Sequence, residues 1–323
     1  MSRRALAPSG GIADLVEQSR QRDPRALARL ISYVEDAAPS LREVMGATAS
    51  HVGHAHIVGI TGSPGVGKST TTSALVAAFR ARGQRVAVLA VDPSSPFSGG
   101  ALLGDRVRMQ EHATDEGVFI RSMASRGHLG GLAWSTPQAL RVIDSAGYDV
   151  IIVETVGVGQ SEVEVAGTAD TTVVLLAPGM GDGIQAAKAG ILEVGDVFVV
   201  NKADRDGADA AAREVRHMIG LGERVDGGWK PPVLKSVASR GEGIDEVVVA
   251  IDSHFEWLTS SGQLSLRRRR RASAEIEAIT VAMLRARLSD VHGDERLESL
   301  ADRVATGSLD PYSAADLLVE GLA

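Results

Sequence analysis

The chain has 323 residues, 44% hydrophobic and 23% charged, which is the balance of an ordinary soluble globular protein with one sizeable α/β core and attached helical segments. A formal net charge of −7 gives no electrostatic footprint for nucleic acid, and the absence of cysteine removes disulfides, cysteine metal sites and thiol catalysis together. The first residues carry charge without the apolar stretch of a signal peptide, and no apolar run approaches a membrane span, so the expectation is a cytoplasmic protein with neither a membrane nor a nucleic-acid partner.

Over residues 11–45, Ile12, Leu15, Val16, Leu27, Leu30, Ile31 and Val34 recur at spacings of three and four, which predicts helices, with a fresh start at Asp23-Pro24. Residues 1–50 read as a helical extension. His51, His54 and His56 come next; with no carboxylate or cysteine support nearby they read as linker rather than as a metal site. From residue 51 to 260 strand-length apolar runs alternate with helical or loop segments, the runs falling at 56–60, 86–91, 118–120, 150–153, 171–177, 197–200 and 233–234. Such alternation predicts a mainly parallel sheet covered on both faces by helices.

The first run leads into Gly62-Ser63-Pro64-Gly65-Val66-Gly67-Lys68-Ser69-Thr70, and a helix-prone stretch follows at 69–82. Strand, glycine loop and helix in that order are what G-x-x-x-x-G-K-[ST] needs to bind phosphate. The glycines bring backbone N–H groups close to the phosphate oxygens, the helix adds its positive end, Lys68 faces the β- and γ-phosphates, and the Ser69 hydroxyl is placed for Mg²⁺.

Asp92 closes the second run and opens a glycine- and serine-rich segment that reads as a switch; Asp105 lies just beyond it. Either acid enters the Mg²⁺ shell or positions water, and the residues alone do not choose between them. Arg106, Arg108, Arg121 and Arg126 lie near these loops as candidates for an arginine finger. The run at 150–153 leads into Glu154-Thr155-Val156-Gly157, a Walker B pattern with Glu154 at its acidic end and with Gly157 able to sense a γ-phosphate through its amide. The longer carboxylate suits holding Mg²⁺ through a water, or orienting the attacking water. Further glycine-hinged loops follow at 157–162 and 178–188, and Lys188 reaches the nucleotide, a switch acid or solvent.

Asn201-Lys202-Ala203-Asp204 ends the 197–200 run. The Asp204 carboxylate can accept from both N–H groups on the Watson–Crick edge of guanine, whereas adenine presents an acceptor there. Asn201 and the Lys202 stem would pack the base and tie this loop to the phosphate loop. Ser236-Val237-Ala238 falls where small GTPases place an amide on guanine O6. Residues 261–323 read as helical; in them Arg267-Arg268-Arg269-Arg270-Arg271 reads as a solvated or subunit-bridging helix. The terminal helices are either a dimer arm or partner surface, or a wrapping of the same core.

Glu154 to Glu162, Asp92 to Pro96, Pro178 to Gln185 and Asn201 to Asp204, in this order, resemble the MeaB/ArgK/MMAA family of P-loop GTPases. The resemblance covers essentially the whole chain. It implies a P-loop NTPase fold with helical extensions and a homodimer formed by the C-terminal arm. It also implies GTP/GDP and Mg²⁺ as ligands, with Lys68, Asp92, Asp105 and Glu154 as the catalytic set and Mg²⁺ held among Ser69, Asp92, Asp105 and Glu154, and a chaperone role in which GTP hydrolysis gates adenosylcobalamin loading and protects or reactivates methylmalonyl-CoA mutase. One departure stands out: Val237-Ala238 replaces a common Ser-Ala, which leaves the supporting hydroxyl unassigned. Rival readings are a metallocentre-assembly GTPase, for which 8 histidines and no cysteine are a poor endowment, a kinase linked to a periplasmic transport system, and a nucleotide-locked scaffold. A MinD-like membrane role is disfavoured, since Ser63 stands where that group has a lysine.

Overall fold

The computed structural model describes residues 11–93, 110–112, 114–125, 135–155, 167–179, 191–221, 227–289 and 295–320. Its strands are β1 (His56–Thr61), β2 (Val86–Pro93), β3 (Val118–Ser125), β4 (Val150–Thr155), β5 (Thr171–Leu176), β6 (Val197–Val200) and β7 (Val233–Lys235). They form one seven-stranded sheet in the order β3-β2-β4-β1-β5-β6-β7, parallel throughout. β1, β5 and β6 are buried at every position, which is why each reads as a continuous apolar run rather than an alternating one. The chain runs outward from β1 to β3, returns to set β4 beside β1, and then continues through β5 to β7 on the other side. That reversal about β1 opens a crevice at the carboxyl ends of the central strands, the usual place for a ligand in an open α/β sheet.

Two layers of helix cover the sheet. On one face α4 (Lys68–Ala81) and α7 (Ile244–Ser260) pack Leu75, Val76, Phe79, Val247 and Ile251 against Val58, Ile60, Val88 and Ile152. On the other, α6 (Ala208–Leu221) covers Val174, Phe198 and Val200. Beside it α1 (Ile12–Arg20), α2 (Pro24–Glu35), α3 (Leu41–Thr48) and α5 (Ser135–Ser145) cover Ile57, Leu89, Ile151 and Val153. The N-terminal helices therefore share the core of the sheet, which settles one of the two readings left open for them. Leu27, Leu30, Ile31 and Val34 are fully buried there, each contributing about 1.5–3 kcal/mol of apolar burial. Asp23 fixes where α2 starts: its carboxylate accepts from the N–H groups of Arg25 and Ala26 at 2.8 and 3.4 Å, and Pro24 fills the first helical position.

β3 is longer than its apolar run. Arg121 and Ser122 interrupt the pattern, yet all of β3 pairs in register with β2, because a parallel ladder satisfies backbone groups whatever the side chain. Arg121 then donates to Glu35 Oε2 at 2.6 Å and to Ser32 at 3.1 Å, so this arginine fastens α2 to the sheet. The arginine-finger expectation is accordingly corrected at this position. His56 also differs from its linker reading: it is the first residue of β1, and it is buried. His51 and His54 stay at or near the surface, and among the described residues no cluster of three or more His, Asp and Glu side chains could hold a metal.

The C-terminal helices are α8 (Gln263–Ser289), α9 (Glu295–Ala305) and α10 (Pro311–Glu320). α8 runs through the arginines, which are good helix formers. Gly307 with positive φ breaks the 295–320 stretch, and Asp310 restarts it by accepting from the N–H groups of Tyr312 and Ser313. By its internal contacts the chain forms two compact units, one ending at Arg268 and one starting at Arg269. Among the described residues no helix is long and apolar enough to cross a membrane.

Candidate functional site

The loop between β1 and α4 wraps into a cradle because two glycines permit what no other residue can. Gly62 has φ +137°, and a Cβ there would collide with the Leu175 carbonyl of β5. Gly67 has φ +101°, and a Cβ there would collide with the Asn201 amide. The loop is thus pressed against the ends of β5 and β6 and opens the first turn of α4, where unpaired N–H groups and the helix dipole favour an anion. Gly65 also has positive φ, Ser63 is half-buried, Pro64 is exposed, Val66 is buried, and Thr70 is exposed on the first turn.

Lys68 is buried, with its Nζ on the carbonyl oxygens of Gly62 and Ser63 at 2.6 and 3.2 Å. These carbonyl oxygens hold the ammonium at the cradle, where a phosphate would make the stronger, charge-assisted bond. Ser69 Oγ donates to Glu154 Oε1 at 2.7 Å, and both side chains are buried. A hydroxyl and a carboxylate therefore meet at the start of α4. These are hard oxygen donors, and with phosphate oxygens they make a set that suits Mg²⁺.

The loop after β6 is tied to the cradle. Asn201 Nδ2 donates to the Val66 carbonyl at 2.8 Å and Lys202 Nζ to the Gly65 carbonyl at 2.6 Å. Lys202 takes the left-handed conformation, φ +57°, where a residue with a Cβ is strained by about 1–2 kcal/mol. Asn201 is the hub of this end of the sheet. Its Oδ1 accepts from Ser236 Oγ at 3.2 Å and from the Ala238 N–H at 3.1 Å, while the Ala203 N–H reaches the Ser236 carbonyl at 3.0 Å. Val237 has no hydroxyl, and the hydroxyl that reaches Asn201 here is that of the residue before it, Ser236. Val237 and Ala238 are buried beside it.

Asp204 lies at the surface of this loop, 3.5 Å from the Arg240 guanidinium. Arg240 was not predicted; it sits in a short 3₁₀ turn of no motif, and only the folded chain brings it there. Asp92 stands at the end of β2, where its backbone pairs beside Ala124 of β3. Asp105, Gly157, Arg106, Arg108, Arg126 and Lys188 lie outside the described residues. The structure therefore brings together Gly62, Gly67, Lys68, Ser69, Glu154, Asn201, Lys202, Ser236 and Ala238, with Asp204 at their edge. The arrangement combines an anion cradle, a buried cation, oxygen ligands for a hard metal and an exposed carboxylate.

Similarity to known proteins agrees with this geometry. Residues 27–292 match the family described as Methylmalonyl Co-A mutase-associated GTPase MeaB. A putative GTPase of Pyrococcus abyssi (strain GE5 / Orsay) is 47% identical over 96% of this chain and 96% of its own length. The GTPase ArgK of Escherichia coli (strain K12) is 40% identical over 78% of each chain. A solved structure described as an LAO/AO transport system kinase superposes with a TM-score of 0.72 at 29% identity, covering 98% of this chain and 99% of the other.

Proposed function

The chain belongs to the family of methylmalonyl-CoA mutase-associated GTPases and is a P-loop GTPase, and on that footing we propose that its GTP hydrolysis gates the loading of adenosylcobalamin into a methylmalonyl-CoA mutase and protects or reactivates that enzyme. The observation that carries the reading is the physical tie between the two loops: the Asn201-Lys202 pair grips the carbonyls of Gly65 and Val66, so base and phosphates are held by one body.

In this reading Lys68 leaves the Gly62 and Ser63 carbonyls for the β- and γ-phosphates, and the N–H groups of 62–69 enclose the phosphate oxygens. Ser69 and Glu154 are the residues here that would hold Mg²⁺, Glu154 directly or through a water. Bound there, the ion supplies positive charge against the charge shared by the β- and γ-phosphate oxygens. Asp92 and Asp105 are assigned to the same shell or to placing the attacking water. Asp204 selects guanine by accepting from its two N–H donors, and Arg240 gives up its contact with that carboxylate or shares it. Thr70, Gly157, Val237 and Ala238 complete the proposed nucleotide contacts.

Self-association belongs to the same reading. The second unit exposes Ile276, Met283, Leu284 and Tyr312, apolar side chains that a second copy would cover. Sedimentation is expected to give a dimer, and Leu284→Glu to weaken it.

The decisive experiment measures phosphate release from GTP, with ATP as control, before and after adding an adenosylcobalamin-dependent methylmalonyl-CoA mutase. Stimulation specific to GTP and to the mutase is the expected result. GTP turnover unmoved by the mutase would reject the client. Transfer of the γ-phosphate to a protein acceptor would favour the kinase reading, which the description of the solved relative brings forward.

A further inference from the structure

The two loops of the nucleotide site hang from β1 and β6, and these strands are not neighbours; β5 lies between them. Their separation therefore depends on three strands keeping their places. At the carboxyl end the Asn201 and Lys202 contacts tie the loops together directly. At the amino end the same three strands are held by the first turns of α8.

Asp170 and Asp196 immediately precede β5 and β6, and both are buried. Arg267 makes a forked pair with Asp196, at 2.9 and 2.8 Å, and donates to the Asp170 carbonyl at 3.0 Å, which bridges β6 to β5. Arg268 meets Asp170 at 2.8 and 3.3 Å and also donates to the carbonyls of Gly53 and Ala55, which bridges β5 to the residues leading into β1. The carboxylates close the same joints from within: Asp170 accepts from the Ile57 N–H of β1 at 3.1 Å, and Asp196 from the Thr172 N–H of β5 at 2.9 Å. Thr171 adds a bridge between His56 of β1 and His254 of α7, 2.8 Å to each.

We propose that Arg267 and Arg268 are positioning residues for guanine recognition, fixing the lateral spacing of β1, β5 and β6 at the end remote from the nucleotide and so setting the distance between the phosphate loop and Asp204. The inference rests on the reading of Asn201 to Asp204 as the guanine loop. A strand of this length spans about 13–20 Å, and one hydrogen-bonded on both sides moves as a rod, so a shift at its foot reappears at its tip. Hydrogen bonds to a base tolerate only a few tenths of an ångström, so a misplacement of about 1 Å removes them. The arginine run is thereby divided: Arg267 and Arg268 point inward, whereas Arg269 and Arg270 are exposed. Arg267 and Arg268 are half-buried and bonded to these carboxylates, so the reading of the run as a solvated or subunit-bridging helix does not extend to them.

The test uses the full-length R267K/R268K variant, in which both charges stay beside the buried carboxylates but the forks are lost. R269K/R270K is the control. Affinities for GDP and ADP are measured by competition at a temperature at which both variants are fully folded by circular dichroism. The expected result is a loss of about tenfold in GDP affinity and in the GDP-over-ADP preference, with the control unchanged. A purely structural role would lower the melting temperature and leave the preference of the folded protein alone, and a preference within about twofold of the unaltered chain overturns the proposal. Should the double variant fail to fold, R267K alone, which removes only the bridge between β5 and β6, is read in the same way. An unaltered chain with no guanine preference would overturn the loop assignment, and the proposal with it.

Discussion

At the carboxyl ends of β1 and β6 Lys68 and Lys202 each donate to a backbone carbonyl at 2.6 Å, and Asp204 lies exposed beside Arg240. At the amino ends of β1, β5 and β6 the carboxylates are buried and matched: Asp170 and Asp196 each receive an arginine fork and a backbone N–H. The same strands thus carry exchangeable partners at one end and permanent ones at the other. A site that binds an anion needs its cation on partners weak enough to give up, and a joint that positions the site needs partners that never leave.

Breaking the comparison at the nucleotide end has the largest expected effect. Lys68→Ala removes the buried cation, and GTP affinity should fall by about 4 kcal/mol, on the order of 1,000-fold, with folding intact; equilibrium binding of a fluorescent GTP analogue reads it. Retention of tight binding would reject the cradle as a phosphate site. At the opposite end Asp196→Ala leaves Arg267 facing a buried vacancy and the Thr172 N–H unmet. Stability should drop by about 3–5 kcal/mol in urea unfolding, with no direct loss of a nucleotide contact.

The pH dependence of stability sharpens the contrast. Burial lowers the pKa of His56 from 6.5 to about 4, against an opposing pull from Asp170, while His254 and Arg268 lower it further and Asp196 raises it. The folded state therefore resists a proton that the unfolded chain accepts below pH 6.5. The stability is present above that value and is lost as the pH falls from 6.5 towards 4, by about 3 kcal/mol in all. His56→Asn should flatten this slope; an unchanged slope would show that another group titrates there. Asp196 is held below the usual carboxylate range by His254 and Arg267 in spite of its burial, so its contribution is lost only at lower pH.

The smallest effect is expected at the exposed carboxylate. Asp204→Asn keeps the shape but exchanges an acceptor for a donor, and should reduce the preference for GTP over ATP by about 1–3 kcal/mol with little change in melting temperature. An unaltered preference would remove Asp204 from base recognition.

The legibility of the two ends follows from the same contrast. Gly62 to Ser69 and Asn201 to Asp204 are contiguous, because a cradle and the proposed base reader are each built by one loop, and their chemistry dictates residue types at short spacing. The seven strands were readable for a related reason: strands buried on both faces leave continuous apolar runs. β3 was read short because pairing with β2 carried it past Arg121. The amino-end joint was not legible, since its members, His56, Asp170, Asp196, His254 and Arg267, lie far apart in the chain and belong to no local pattern. Five consecutive arginines look alike in sequence, and only packing tells Arg267 and Arg268, half-buried against carboxylates, from Arg269 and Arg270, which are exposed.

By itself, then, the order of residues determined the parallel α/β sheet, the phosphate cradle and the Asn201 to Asp204 loop proposed to read guanine, because each is specified within one strand, loop or helix. The tertiary structure decided that the N-terminal helices complete the core, that Ser236 supplies the hydroxyl missing at Val237, that Arg121 serves α2, and that Arg267 and Arg268 staple the sheet. These are pairings across long stretches of chain, and the energy that selects among possible partners, burial of a charge beside its opposite, exists only once the strands have assembled.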